Sequence, residues 1–392
     1  MTRLSDYATE LHHVVKDIAM LEGMALVPPV SGEKAAQYLY RLYHRATLIG
    51  DLGQLREVLA CIDQALHHIG PQEDICLLRA KVHFALHRLR EAREDLSVAP
   101  LLSQRIEARI LSADIDYEGG CYEDARRAYE KLVAESNTWD NLARLAHFRA
   151  KMGDFEGAHQ LYADAQEEIT AKQMRAFCWV ELQRGLMDMT RGRFGDAKAH
   201  YDRADRAYSG YWLVSKHLAD LFAAEEKFEA AADRYEAILL QLPSPELREK
   251  LGRVLYSLGR SQAAERCFEE AVTAYLASAD RGEVHYYHHL VDFFIEIRKE
   301  PQAAAQWARK DLEVRNNYAT AAALAWVEYC CGDFARASQR IAHALASGVA
   351  EPVLLTRAAE IYRRVGLHCE AHELEHRAAS INPLNRRAHI HV

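Results

Sequence analysis

A formal charge of −8 over 392 residues, 49% of them hydrophobic and 27% charged, describes a chain with ample apolar surface for folding. That charge balance disfavours nucleic acid as the main partner, since holding a phosphate backbone needs a net basic surface. The 9 prolines and 19 glycines are scattered, and no run reaches the roughly 18 apolar residues of a membrane span, so a low-complexity tract and a membrane helix are both excluded.

The N-terminal MTRLSDYATELHHVVKDIAM carries charges and histidines where a signal peptide needs an apolar stretch, so a cytoplasmic location is expected, with no membrane partner. The 8 cysteines (Cys61, Cys76, Cys121, Cys178, Cys267, Cys330, Cys331 and Cys369) contain no CxxC pair, which speaks against structural zinc or a secreted disulfide frame. Residues 4–24 read as an amphipathic helix with Leu4, Leu11, Val14, Val15, Ile18 and Leu21 on one side. Pro28 and Pro29 then impose extended backbone before Ser31 and Glu33 open the next helix. Residues 1–35 are thus a capping helix and linker.

From residue 36 onward one pattern repeats. A turn falls at Gly53, His87, Gly120, Gly153, Gly192, Glu226, Gly259, Arg298, Gly332 and Gly366, in steps of 33 or 34 residues with two steps of 39. Seven residues before each turn stands a small or β-branched side chain: Ala46, Ala80, Ala113, Ala146, Gly185, Ala219, Gly252, Val291, Ala325 or Ala359. Five residues after it come Val58, Ala92, Ala125, Ala158, Ala197, Ala231, Ala264, Ala303, Ala337 and Ala371. Small residues at both slots let two helices of a hairpin approach closely, where larger ones would force them apart. Nine residues after the turn a bulky knob follows: Ile62, Leu96, Tyr129, Tyr162, Tyr201, Tyr235, Phe268, Trp307 and Ile341, with Glu375 breaking the slot in the tenth unit. The two long steps lengthen the helix pair around Glu168–Trp179 and the helix through Ala271–Ala279, which leads into the Asp280-Arg281-Gly282-Glu283 loop.

This small–small–aromatic pattern with a period near 34 resembles the tetratricopeptide repeat family over residues 39–383, ending at Asn382-Pro383. The expected fold is all-α, an α-solenoid of ten helix-turn-helix hairpins over residues 36–383, with residues 384–392 as a tail. The resemblance implies an open right-handed superhelix. It also implies that the first helix of each hairpin lines a concave, ligand-binding face. The inward slots six residues before each turn hold Thr47, Lys81, Asp114, His147, Leu186, Asp220, Arg253, Asp292, Trp326 and Glu360. Neighbouring inward slots add Tyr40, Tyr43, Phe84, Glu107, Tyr117, Trp179, Glu246, Glu249, Tyr256, His285, His288 and Tyr329. The groove so expected is aromatic at its ends and acidic through the middle, with isolated cations at Lys81 and Arg253.

Family members that clamp a partner's C-terminal carboxylate use Asn with Lys and Arg at such slots. Here no main slot holds Asn, and Asp114 and Asp220 would repel a carboxylate. The groove suits a peptide or protein segment with basic or apolar anchors.

Among the 20 histidines, His285, His288 and Asp292 share one helical face, and His368, His372 and His376 make a second stripe. Imidazoles one turn apart can share a metal, but no HExxH and no third ligand from another element is evident, so no metal and no cofactor is expected. The glycines fall in turns rather than in a phosphate-binding loop, no GxSxG elbow occurs, and no nucleophile is paired with a base, which argues against an enzyme.

The expected function is a non-catalytic protein- or peptide-binding scaffold or adaptor. The alternatives are a regulator whose superhelix changes pitch on binding a peptide, with the two 39-residue steps as hinges, and a histidine-mediated metal binder. The C-terminal half (HYYHHLVDFF, QWARKDLEVR, AALAWVEY) resembles bacterial proteins built only from such repeats, which implies no activity. The thinly capped C-terminal end leaves self-stacking into a homo-oligomer open.

Overall fold

The computed structural model describes residues 6–25, 31–98 and 102–384. Pro28, Pro29, His389 and His391 lie outside them. The described residues form helices and turns with no strand. Helix α1 (Tyr7–Ala25) precedes ten hairpins. In the first half these are α2 (Gly32–Ile49) with α3 (Leu52–Ile69), α4 (Glu73–Ala85) with α5 (Leu89–Ser97), α6 (Ile106–Glu118) with α7 (Tyr122–Glu135), α8 (Trp139–Lys151) with α9 (Phe155–Glu167), and α10 (Met174–Thr190) with α11 (Phe194–Ala207). In the second half come α12 (Trp212–Ala224) with α13 (Phe228–Leu239), α14 (Pro245–Ser257) with α15 (Ser261–Asp280), α16 (Tyr287–Asp292) with α17 (Pro301–Val314), α18 (Tyr318–Cys330) with α19 (Phe334–Leu345), and α20 (Pro352–Arg364) with α21 (His368–Ile381). The all-α solenoid expected from the repeat is the observed fold. No helix among the described residues is long and apolar enough to cross a membrane.

The small slots are the hairpin contacts. Ala46, Ala80, Ala146, Ala219 and Ala325 are fully buried, as are Ala92, Ala125, Ala158, Ala197, Ala231, Ala264 and Ala337 across from them. A Cβ on Gly185 would overlap the Tyr201 ring, and one on Gly252 would lie 2.6 Å from Phe268 Cε1. Glycine therefore makes room in its own hairpin for the aromatic knob.

Two units depart from the sequence register. In the first, the left-handed residue is Gly50 (φ 72°) rather than Gly53, because Asp51 caps α3 by accepting from the backbone N–H of Gly53 and Gln54. In the eighth, Phe293–Ile297 form a π-helical turn, which absorbs one extra residue. The left-handed residue becomes Lys299 (φ 56°) instead of Arg298. The fully buried small residue accordingly becomes Ala304, and the knob position falls on Ala308 instead of Trp307, which stays half-buried.

The superhelix is not open. The hairpin turns of its first five units rest on the segments that start helices five to seven units later. Trp212 Nε1 donates to the Leu48 carbonyl at 3.0 Å, and its ring fills the space beside Gly50 where a Cβ would stand. Asn317 Nδ2 donates to the Glu118 carbonyl at 2.9 Å, and the Tyr318 N–H to the Tyr122 hydroxyl at 2.9 Å. The Ala350 N–H donates to the Lys151 carbonyl at 2.8 Å, and a Cβ on Gly192 would strike the side chain of Asn382. Ion pairs reinforce this seam: Arg56 Nη1 to Glu283 Oε2 at 3.0 Å and Lys151 Nζ to Glu351 Oε1 at 3.6 Å. At the N-terminal end the Tyr7 N–H donates to the Ser209 carbonyl, and the Tyr208 hydroxyl to Glu10 Oε2 at 2.6 Å. The lengthened α15 carries the Arg281–Glu283 loop to Arg56, so the second long step contributes a contact to the seam.

Gly252→Ala should cost about 1–3 kcal/mol of stability by overpacking against Phe268, whereas Gly195→Ala, with nothing within 4 Å of the added Cβ, should change it by about 0.5 kcal/mol or less. Urea denaturation of the two variants, followed by circular dichroism, checks this.

Candidate binding channel

The first helices of units one to five face a common interior. They wall a cavity of about 900 Å³ with Tyr43 and Thr47 from α2, Phe84 from α4, Asp114 and Tyr117 from α6, His147 from α8 and Trp179 from α10. Six of the thirteen residues singled out from the sequence as ligand-binding therefore converge there: Tyr43, Phe84, Asp114, Tyr117, His147 and Trp179. A second cavity of about 880 Å³, lined among others by Tyr40 and Asp74, shares Tyr43, Thr47 and Arg175 with it. Lys81 lies at its margin, with Nζ 5.7 Å from the Tyr40 ring, and burial pulls its pKa down.

Several lining residues were not among the sequence candidates. Trp139, Asp140 and Arg144 stand on α8 on the face that carries His147, and a wider reading of that face would have found them. Glu10, Tyr208 and Tyr211 also line the cavity, and Lys172 and Gln173 enter it from the loop made by the first long step. These five arrive from outside the first helices, so no helical spacing announces them.

Asp114, Asp140, Arg144 and Glu10 are paired inside the cavity, in place of the bare acids expected through the middle of the groove. Arg144 Nε donates to Asp114 Oδ1 and Oδ2 at 3.0 Å and its Nη1 pairs with Asp140, while the Tyr129 hydroxyl donates to Asp114 Oδ1 at 2.8 Å. Burial raises the pKa of Asp114 against the pull of Arg144. Glu10 is held low: burial works to raise its pKa, but bonds from His44 and Tyr208 and the charge of Arg175 prevail. His147 is pushed down to about 4 by burial, so it is neutral at pH 7, and its ring meets Tyr117 edge-on at 5.8 Å. Trp139 and Trp179 make a second edge-on pair at 6.3 Å.

The remaining candidates sit elsewhere. Asp220 accepts from Lys250 Nζ at 2.8 Å, Lys216 Nζ at 3.2 Å and the Tyr235 hydroxyl at 2.5 Å. Burial opposes ionisation of Asp220, but the two lysines hold its pKa well below the carboxylate range, so it does not repel anions as a bare charge would. Arg253 is bound to Glu249 at 2.8 Å and, with Tyr256, lines a separate cavity of about 260 Å³. Asp292 has a pKa raised by burial, against Arg357, His289 and Arg253. Trp326 stacks on Tyr329 at 5.0 Å beneath the guanidinium of Arg357.

His285 and His288 do meet other histidines, though not with Asp292. His87, at the second turn, stacks on His285 at 4.7 Å and stands 6.4 Å from His288, which lies 4.0 Å from His289 between ring centres. Glu246 takes His285 at 3.5 Å and His289 at 3.2 Å. Arg315, anchored on Asp311, donates to Nδ1 of both His87 and His288 at 3.4 and 3.2 Å. Because guanidinium only donates, both imidazoles present unprotonated Nδ1 atoms to it. His368, His372 and His376 are exposed along α21. Among the described residues no group of three or more His, Cys, Asp or Glu is arranged to hold a metal ion.

No protein-family model matches the chain, and no curated protein sequence matches it. Solved structures similar to it include a tetratricopeptide repeat protein from Parabacteroides merdae (17% identity over 60% of this chain and 92% of that one, TM-score 0.41). Others are the APC/C hetero-tetramer Cut9-Hcn1 (14%, 97% and 82%, TM-score 0.46) and the human IFIT1 dimer with m7Gppp-AAAA (13%, 97% and 96%, TM-score 0.46). At these scores the fold assignment stands on the hairpins themselves.

The histidine cluster makes the seam pH-dependent. Burial first, then His285 and Arg315 around His87, and His289 and Arg315 around His288, hold both pKa values well below 6.5 in the folded chain. A depressed histidine contributes stability that is present above its unfolded pKa of about 6.5 and is lost as pH falls toward the folded value, at up to ~1.4 kcal/mol per pH unit for each group. Unfolding free energy measured at pH 7.5, 6.5 and 5.5 should therefore fall below pH 6.5. His87→Gly, which suits the backbone at φ 59°, should flatten the fall by up to about one histidine's share.

Proposed function

We propose that this protein is a non-catalytic scaffold that takes an extended peptide or protein segment into its internal channel. The observation that carries this reading is the convergence of Tyr43, Phe84, Tyr117, Trp139 and Trp179 on one cavity of about 900 Å³. That volume is at the upper end of ordinary ligand pockets, and its aromatic walls match the composition of binding hot spots. It admits side chains and an extended backbone but not a folded domain.

Buried charges already bonded to one another need no rearrangement when a ligand enters, so the ligand bears most of the ordering cost. The aromatic faces provide for apolar anchors and, through their π-systems, for Lys or Arg side chains. The seam supports a scaffold over a regulator that changes pitch, because a change of pitch would break its hydrogen bonds and ion pairs at several turns together. The eight cysteines are all unpaired, which supports a reducing, cytoplasmic setting.

Selection from a random peptide library followed by calorimetric titration tests the proposal. Peptides bound by the wild type should lose about tenfold or more in affinity with Trp179→Ala, in line with truncation of a hot-spot aromatic, and keep it with Val353→Ala, a change at an exposed residue that does not line the cavity. Peptides that bind both variants equally would place the working surface elsewhere.

A further inference from the structure

The seam consumes only half of the edges that built it. Turns three and four meet the starts of units nine and ten, at Asn317 and Ala350, and turn five meets Asn382, where an eleventh unit would begin. Among the described residues, this six-unit spacing gives the turns of units seven and eight no later unit to rest on. A Cβ on Gly259 would have nothing within 4 Å, whereas the glycines at turns one, three and five are crowded by the seam. Equally, among the described residues the helix starts of units three and four carry no turn from an earlier unit.

We propose that these two free edges bind each other between copies, so that the chain associates head to tail, the turns of units seven and eight in one copy receiving the starts of units three and four in the next.

The side chains follow the scheme used within the seam. There, a large residue at the first position of a helix fills the gap at an earlier turn: Trp212 opens α12 beside Gly50, and Tyr318 opens α18 beside Tyr122 at 6.1 Å between rings. The free start of unit three carries Ile106 as the first residue of α6, 36% exposed. On the free turns Tyr256 is 57% exposed, and the cavity of about 260 Å³ between turns seven and eight is lined by Tyr256, Ile297 and Lys299. Counting six units forward from turn seven reaches the third unit of a following copy, which sets Tyr256 opposite Ile106.

Charge polarity agrees. Within the seam the turn side supplies the cations, Arg56 and Lys151, and the start side the acids, Glu283 and Glu351. On the free edges the turn of unit eight carries Lys299, its side chain 72% exposed, and the start of unit three carries Glu107, its side chain 48% exposed. Edges of two different kinds make the contact heterologous, and such contacts generate open chains rather than closed dimers.

The test is sedimentation velocity on the full-length protein across concentration, with Tyr256→Glu blocking only the turn edge and Ile106→Glu only the start edge. Both residues are at the surface, and thermal melts confirm that each variant folds. The wild type should grow past dimer as concentration rises and shrink in high salt. Each variant alone should associate at least tenfold more weakly, and an equimolar mixture of the two should recover association but stop at dimer, since only one productive pairing remains. A wild type that stays monomeric at every concentration, a wild type that stops at dimer, or a mixture that fails to pair would each overturn the proposal.

Discussion

Everything in this molecule depends on how closely two helices of one hairpin approach. Mostly alanine or glycine at the two facing slots sets that distance, and the bulky knob one turn further along fills what the small residues leave open. Gly185 beneath Tyr201 and Gly252 beneath Phe268 show how little tolerance there is. Because each hairpin is built alike, each adds a similar rotation to the stack. Small rotations accumulate until units five to seven apart touch, and the touching surfaces are the turns themselves.

That closure changes the physics of the inner face. An open groove would be bathed in water, and its carboxylates would act as independent charges. Where side chains are buried an unpaired charge would be expensive, and the buried charges show the corresponding arrangement: Arg144 between Asp114 and Asp140, Asp220 between two lysines, Glu10 among His44, Tyr208 and Arg175. With the charges so engaged, the aromatic side chains become the surface a ligand meets.

The seam also explains a residue that looks misplaced in the repeat. His87 occupies a left-handed backbone position where most units use glycine, a conformation that costs an ordinary residue about 1 kcal/mol. Its imidazole reaches His285 and His288 of the eighth unit, contacts a glycine could not make. Lys299 holds the equivalent position in the eighth unit, on the edge that nothing in this chain covers.

The repeat, its length and the ten hairpins were all legible in the chain, because each depends on contacts between residues a few turns apart that recur with the period. The register slip in the eighth unit was not, since a π-turn inserts one residue without changing the composition around it. Nor was the pairing of Asp114 with Arg144 or of His87 with His285, because partners 30 and 198 residues apart leave no local spacing to read. Six cavity residues, Tyr43, Phe84, Asp114, Tyr117, His147 and Trp179, were singled out because the resemblance to the tetratricopeptide repeat family implies that first helices face inward. That the early turns meet helix starts several units later was decided by the summed rotation of the units, a quantity of small differences in helix packing that no single repeat contains.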